Sequence, residues 1–385
     1  MIPSARAYLR RFGLHAALGL IVALTLASCA RREDTIKFGH YASLTGKDAA
    51  FGVASRKGIL IAVEEINAAG GILGRKVEYL VEDIQSKQGE SATAVKKLIS
   101  RDKVVAILGG NPSTNSLEAA PICQNAGIPM MAISSTNPKV TEIGDYIFRI
   151  CFIDPFQGAV LAKFAHSKLK AQRVALLTSA SAPYSVGLSN VFRSTFTGLG
   201  GEIIGEQKYS EGDKDFNAQL TTIRALKPDV IAATGYYAEA ALICIQARAL
   251  GLSIPIIGGD GWEAPQLTEL GGKAVEGTYY STHYSANNEA PEVKAFVQKF
   301  RARWHNETPE GVAALAYDAM MLYADAMRRA GTTDGAKVRA ALAATKDFPG
   351  VTGRTTMDPQ RNSAKPAVIL TIKNGQLQFV DAVAP

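Results

Sequence analysis

Cysteine is scarce in this chain, with four in 385 residues, at positions 29, 123, 151 and 244. Their spacing matches neither a zinc site nor a dense disulfide framework. Cys123 and Cys244 lie among apolar residues on predicted helices, which favours buried thiols; a Cys123–Cys151 bridge is the other state open to the sequence. The five histidines, at 15, 40, 166, 283 and 305, show no metal-ligand spacing. No G-x-S-x-G elbow, H-E-x-x-H or cysteine in a nucleophile context occurs. Both phosphate-loop patterns, G-x-G-x-x-G and G-x-x-x-x-G-K-[ST], are missing. The nearest glycine cluster, Gly70-Gly71-Ile72-Leu73-Gly74, follows a helix and precedes a strand, the wrong order for phosphate binding. No basic stripe with interleaved aromatics is present, which argues against nucleic acid as a partner. Together these absences argue against an enzyme, and no cofactor is expected.

Long hydrophobic runs are also missing, with one short exception at the start. Arg6, Arg10 and Arg11 precede an uncharged stretch over 14–27, shorter than the roughly 20 residues a membrane-spanning helix needs. A basic start, a short apolar run and small residues at its end describe a secretory signal. It ends Leu26-Ala27-Ser28-Cys29, which resembles the lipobox of bacterial lipoproteins. On that reading residues 1–28 are removed, Cys29 becomes the acylated N-terminus, and 29–34 form a lipid-anchored linker. Removing 1–28 takes three arginines and no acids, so the formal net charge of +7 falls to +4. The mild positive charge that remains bears on solubility, not on fold.

What is present is an alternation of strand and helix. The roughly 357 residues after the signal exceed what one core usually holds, so two domains are expected. Strands are predicted at 36–41, 77–81, 104–108 and 128–133, with helices over 53–69, 92–99 and 117–126. A second series begins after Asp154-Pro155: strands at 174–178, 202–209, 230–234 and 254–257, and helices over 186–199, 216–226 and 239–250. Repeated units of this length imply parallel sheets covered on both faces, in two similar doubly wound lobes. Residues 291–344 read as helical, with Trp304, Leu315, Met320 and Leu322 on apolar faces, before late strands at 367–372 and 378–380. That order makes sense if the chain crosses back to finish each lobe in turn.

Ligands of open α/β sheets bind beyond the carboxyl ends of the strands. Those ends hold hydroxyls, tyrosines, an aspartate and a tryptophan. Asp83, without a His, Lys or metal signature beside it, reads as a capping or lobe-contact residue. The loop "VVAILGGNPSTNS" at 104–116 runs from a strand through Gly-Gly into hydroxyl and amide side chains where a helix begins. It lacks the lysine and glycine spacing of a phosphate loop, yet the layout suits a carboxylate.

Five stretches, taken in order, resemble the Leu/Ile/Val-binding family of type I periplasmic binding proteins. They are "EEINAAGGILGRKVEYLVED", "AAPICQNAGIPMMAISSTNPKVTE", "DFNAQLTTIRALKPDVIAATGYYAEAALICIQARALGL", "GGDGW" and "FPGVTGRTTMD". The resemblance implies two Rossmann-like α/β lobes with parallel sheets, joined by three crossings near 153–156, 282–284 and 363–366. The first lobe would comprise 35–154 and 283–364, the second 155–282 and 365–385. It implies that Ser113 binds the ligand carboxylate, with Ser134 through its backbone and Thr136 through hydroxyl and amide. Tyr184 would close over the ligand, and Tyr236 and Asp260 would hold its ammonium group. Phe51 stands where a tyrosine is common and would line the side-chain pocket, with Trp262 a further wall. Asp260 stands where some relatives carry glutamate. The implied partners are a small amino acid (leucine, isoleucine, valine or a related apolar one) and a membrane-embedded ABC permease. The implied location is the periplasm or the exterior of the cell envelope, as a monomer tethered by lipid. Amides, urea or aromatic carboxylates as ligands, or a sensor or activator role on the same fold, are the alternatives.

Overall fold

The structure, a computed structural model, describes residues 35–384. The signal-like segment 1–28, the linker 29–34 and Cys29 lie outside the described residues.

The chain begins with β1 (Ile36–Ala42), α1 (Ala49–Ala68), β2 (Val77–Asp83), α2 (Glu90–Ser100) and β3 (Ala106–Gly109). It continues with α3 (Ser113–Ala126), β4 (Met130–Ala132), α4 (Lys139–Glu142) and β5 (Ile147–Arg149). These strands form one parallel sheet in the order β2-β1-β3-β4-β5. β3 and β4 are buried along their whole length, which is why their sequences are unbroken apolar runs and not alternations.

The second series is α5 (Asp154–Ser167), β6 (Arg173–Ser179), α6 (Pro183–Gly198), β7 (Glu202–Tyr209), α7 (Asn217–Leu226) and β8 (Val230–Ala233). Then follow α8 (Tyr237–Ala249), β9 (Ile256–Gly258), a 3-10 turn at Asp260–Trp262, α9 (Pro265–Gly271) and β10 (Tyr279–Thr282). The chain next leaves this sheet for α10 (Pro291–Arg303), α11 (Gly311–Ala330) and α12 (Gly335–Ala343), and returns as β11 (Ala367–Lys373) and β12 (Gln376–Val383). The second sheet is ordered β12-β11-β10-β9-β8-β6-β7.

α11 belongs to the first sheet's lobe by packing. It lies along α1 so closely that a Cβ on Gly58 would sit 2.0 Å from the Ala313 carbonyl oxygen, a contact only glycine permits. From the same helix, the Tyr323 hydroxyl donates toward the carbonyls of Ile107 and Pro129, at 3.1 and 2.9 Å. The molecule is therefore two α/β lobes with three passages of the chain between them.

Three features depart from the sequence reading. The second sheet is not wholly parallel, because β11 pairs antiparallel with both β10 and β12. For β11 and β12 the cause is local: Asn374 and Gly375, both at positive φ, close a two-residue hairpin, and such a turn joins only antiparallel strands. Five elements were missed, namely α4, β5, α5, α9 and β10. β5 is only three residues long, while α5 opens with Asp154-Pro155, which reads as a break although proline suits the first helical turn. α1 starts at Ala49, so Phe51 lies in its first turn and not in a preceding loop. Trp304, the C-cap residue of α10, is partly buried against the hydrophobic core as expected, with the Arg303 guanidinium 4.3 Å from its ring centroid.

Cys123, Cys151 and Cys244 are free and buried, so no Cys123–Cys151 bridge forms. Asp83 caps the β1–α1 loop: its carboxylate accepts from the backbone N–H of Leu44 at 2.9 Å and from the Thr45 hydroxyl at 2.7 Å.

Candidate functional site

The carboxyl ends of β3, β4, β8 and β9 converge on one narrow cavity between the lobes. Its wall is made by Phe51, Asn111, Ser113, Ser134, Tyr184, Tyr236, Asp260, Gly261, His283 and Val312.

The first lobe contributes the start of a helix. Gly109 and Gly110 end β3 at positive φ, and a Cβ on Gly110 would fall 1.7 Å from Ser116 Oγ, so glycine is required for the chain to turn under α3. Pro112 is the extended N-cap and Ser113 the first helical residue, 1% exposed. The first-turn N–H groups of a helix lack intrahelical acceptors and carry the positive end of its dipole. Ser113 Oγ accepts from the Asn137 backbone N–H at 3.3 Å, and Asn111 Nδ2 donates to Ser134 Oγ at 3.1 Å. This side of the cavity is a cluster of hydroxyls and amides suited to an anion.

The second lobe supplies the opposite pole. Asp260 is 7% exposed. The Tyr184 hydroxyl donates to its Oδ1 at 2.9 Å, and His283 Nε2 lies 3.0 Å from its Oδ2. The backbone of the same turn is held too, as Asp260 N–H donates to Gln157 Oε1 at 2.7 Å. Burial, with the Asp260 charge adding, pushes the Tyr184 phenol well above its ordinary value, so it remains a donor. Each carboxylate oxygen has two acceptor positions, so Asp260 can accept further hydrogen bonds.

Aromatic rings close the space between the poles. Tyr184 stacks on Tyr236 with centroids 5.2 Å apart, and Phe51 meets Tyr236 edge-on at 6.1 Å. The Tyr236 hydroxyl is buried without a hydrogen-bond partner, so it is available to a ligand. At the cleft rim the lobes touch: Tyr237 donates its hydroxyl proton to the Lys47 carbonyl, and Lys47 Nζ is 3.3 Å from Glu211. Deeper in, Asn137 Nδ2 donates to the Pro183 carbonyl at 2.9 Å.

Six of the eight residues expected to meet a ligand thus line one cavity. Two do not. Trp262 is fully buried behind it, its indole N–H donating to the Ala233 carbonyl at 3.1 Å and its ring filling the space beside Gly258. Thr136 is buried off the cavity wall, with its hydroxyl toward the Asp154 carboxyl. The backbone N–H of Ser134, expected to face a carboxylate, donates to the Gly110 carbonyl at 3.3 Å. Asn111, Gly261, His283 and Val312 are wall residues that the sequence reading did not single out. Asn111 sits inside the quoted loop and was within reach. His283 was set aside for want of metal-ligand spacing, and nothing local marks Val312.

Beneath the wall lies a second carboxyl group. Asp154, 1% exposed, begins α5, and its Oδ2 has no hydrogen-bond partner. Burial, reinforced by the nearby Asp260 charge, pushes its pKa from 3.8 up to about 8. Between those values the unfolded chain has released this proton and the folded protein keeps it. The stability contribution is therefore present below about pH 4 and is lost as pH rises toward 8. Asp154→Asn removes the penalty, so its stability relative to the native protein should rise across that window. Urea unfolding at pH 5 and pH 8 measures it; an unchanged difference between the two proteins would refute the assignment.

Comparison with known proteins agrees with this geometry. The family described as periplasmic binding protein matches residues 35–376. A leucine-, isoleucine-, valine-, threonine- and alanine-binding protein of Pseudomonas aeruginosa is 31% identical, over 86% of this chain and 88% of its own. Among solved structures, the leucine-binding protein LivK from Thermotoga maritima is 40% identical with a TM-score of 0.87, covering 91% of this chain and 99% of its own. The branched-chain amino-acid binding protein LivJ from Streptococcus pneumoniae, in complex with isoleucine, is 36% identical with a TM-score of 0.87, covering 91% and 100%. Fold, interlobe cavity and sequence place the chain in one group: it belongs to the periplasmic binding protein family, whose members bind solutes and do not transform them.

Proposed function

We propose that the protein binds an α-amino acid with an apolar side chain in the interlobe cleft and delivers it to an ABC permease. The observation that carries this reading is the pair of opposed poles in one cavity: the α3 N-terminus with Ser113 on one lobe and Asp260 on the other. A zwitterion satisfies both at once, its carboxylate on the first and its ammonium on the second. Such a ligand favours the closed arrangement because only there does it touch both lobes. Phe51, Tyr184, Tyr236 and Val312 provide apolar surface for the rest of the molecule.

On this reading the lobes divide as 35–154 with 283–364 and 155–282 with 365–385. The protein acts outside the cytoplasm as a monomer, held at the membrane through acylated Cys29. No helix among the described residues is long and apolar enough to cross a membrane. A ligand without an ammonium group would leave the Asp260 carboxylate buried and without a cationic partner, which disfavours simple amides and aromatic acids.

A thermal-shift survey with the twenty amino acids, simple amides and aromatic carboxylates tests the reading. A ligand present at a hundred times its Kd adds about 2.7 kcal/mol to stability, so a leucine-like amino acid should raise the melting temperature visibly. No response to any α-amino acid would overturn the proposal.

A further inference from the structure

We infer that His283 is a positioning residue of the cleft, whose imidazole holds the Asp260 carboxylate in the orientation that receives an α-ammonium group. The inference rests on the amino-acid reading above and adds a residue to it. His283 follows β10, where the chain leaves the second sheet, and is 1% exposed. Its Nε2 lies 3.0 Å from Asp260 Oδ2, while its Nδ1 is buried without a partner. A proton on Nε2 finds the carboxylate and a proton on Nδ1 finds no acceptor, so the surroundings select the Nε2–H tautomer.

The ring itself is held by stacking. Phe152, on the passage between β5 and α5, lies with its centroid 3.8 Å from that of His283 and the planes 30° apart. Two of the three interlobe passages thus meet at this imidazole. With Tyr184 on Oδ1, His283 on Oδ2 and Gln157 on the backbone N–H, the short aspartate side chain has one orientation. The remaining acceptor positions are then set before the ligand arrives, and no rotamer entropy is lost at that step on binding. The same contact joins the ammonium pole to the passages through which the lobes must bend.

Two substitutions separate the hydrogen bond from the packing. His283→Phe keeps a ring on Phe152 but removes the donor. His283→Gln removes the ring but offers an amide N–H in its place. The measurement is calorimetric affinity for the amino acid that binds best in the survey, with melting temperature as a control on folding. His283→Phe should bind about tenfold or more weakly, as expected for loss of a hydrogen bond to a charged group. His283→Gln should stay within about threefold of the native protein. Native-like affinity in the Phe variant overturns the inference, as does a folded Gln variant that binds no better than His283→Ala. The Gln and Ala pair keeps the test decisive if the Phe variant does not fold. A native protein that binds no α-amino acid would remove the functional reading itself, and this inference with it; a native protein that binds, with an indifferent Phe variant, removes this inference alone.

Discussion

Replacing Asp260 by alanine is expected to weaken amino-acid binding by about 2–5 kcal/mol, or roughly 30-fold to several thousandfold. The carboxylate is 7% exposed and is the one wall residue of the cavity with a formal negative charge. Its loss would leave a ligand ammonium in a dry cleft with neutral hydroxyls, among them that of Tyr236, and no carboxylate to turn to. The Tyr184 hydroxyl and His283 Nε2 would lose their acceptor as well. Asp260→Asn separates charge from shape: it should keep the melting temperature of the unliganded protein while losing most of the affinity. Titration calorimetry decides the matter, and an Asp260→Ala protein within twofold of the native affinity would rule out the ammonium role.

The largest expected effect on stability lies at the third passage between the lobes. Lys365, fully buried just before β11, has its ammonium 3.4 Å from Asp318 on α11. Burial pushes the Lys365 amine below its ordinary value, and the Asp318 charge opposes that shift. Asp318 also accepts the backbone N–H groups of Val351 and Thr352 at 2.8 and 2.9 Å, and the Thr352 hydroxyl at 2.6 Å. Asp318→Ala would strand a buried cation and two buried amides together, so a destabilisation of about 3–5 kcal/mol is expected. Lys365→Met should cost less, because Asp318 keeps its three other donors and the methionine stem fills the space of the lysine chain. Equilibrium urea unfolding checks both. The ordering is the sharper test, since a Lys365→Met protein less stable than Asp318→Ala would contradict the account.

Several parts of this molecule were legible without coordinates. Apolar runs such as the one at 104–108 read as buried strands, realised as Ala106–Gly109, and the helices between them pointed to a parallel sheet. The hydroxyl-rich turn at Ser113 could be read as suited to an anion because a helix start exposes N–H groups whatever surrounds it. Other parts were not legible. β5 and β10 are three and four residues long, too short to show a period. Trp262 reads like a pocket wall, but the absence of a side chain at Gly258 draws the indole under β9 instead. The burial of Thr136 and the partner of the Ser134 N–H depend on tertiary packing around β4, which no local pattern encodes.

The sequence by itself determined the strand and helix alternation, the two-lobe plan and the chemical character of each pole, since these follow from periodicity and from side-chain type. Only the tertiary structure decided which groups face one another across the cleft. His283 and Val312 reach the cavity because the chain passes between the lobes and returns, placing residues far apart in sequence on one wall. A buried site is defined by that convergence, and convergence is a property of the packed chain, absent from any short segment of it.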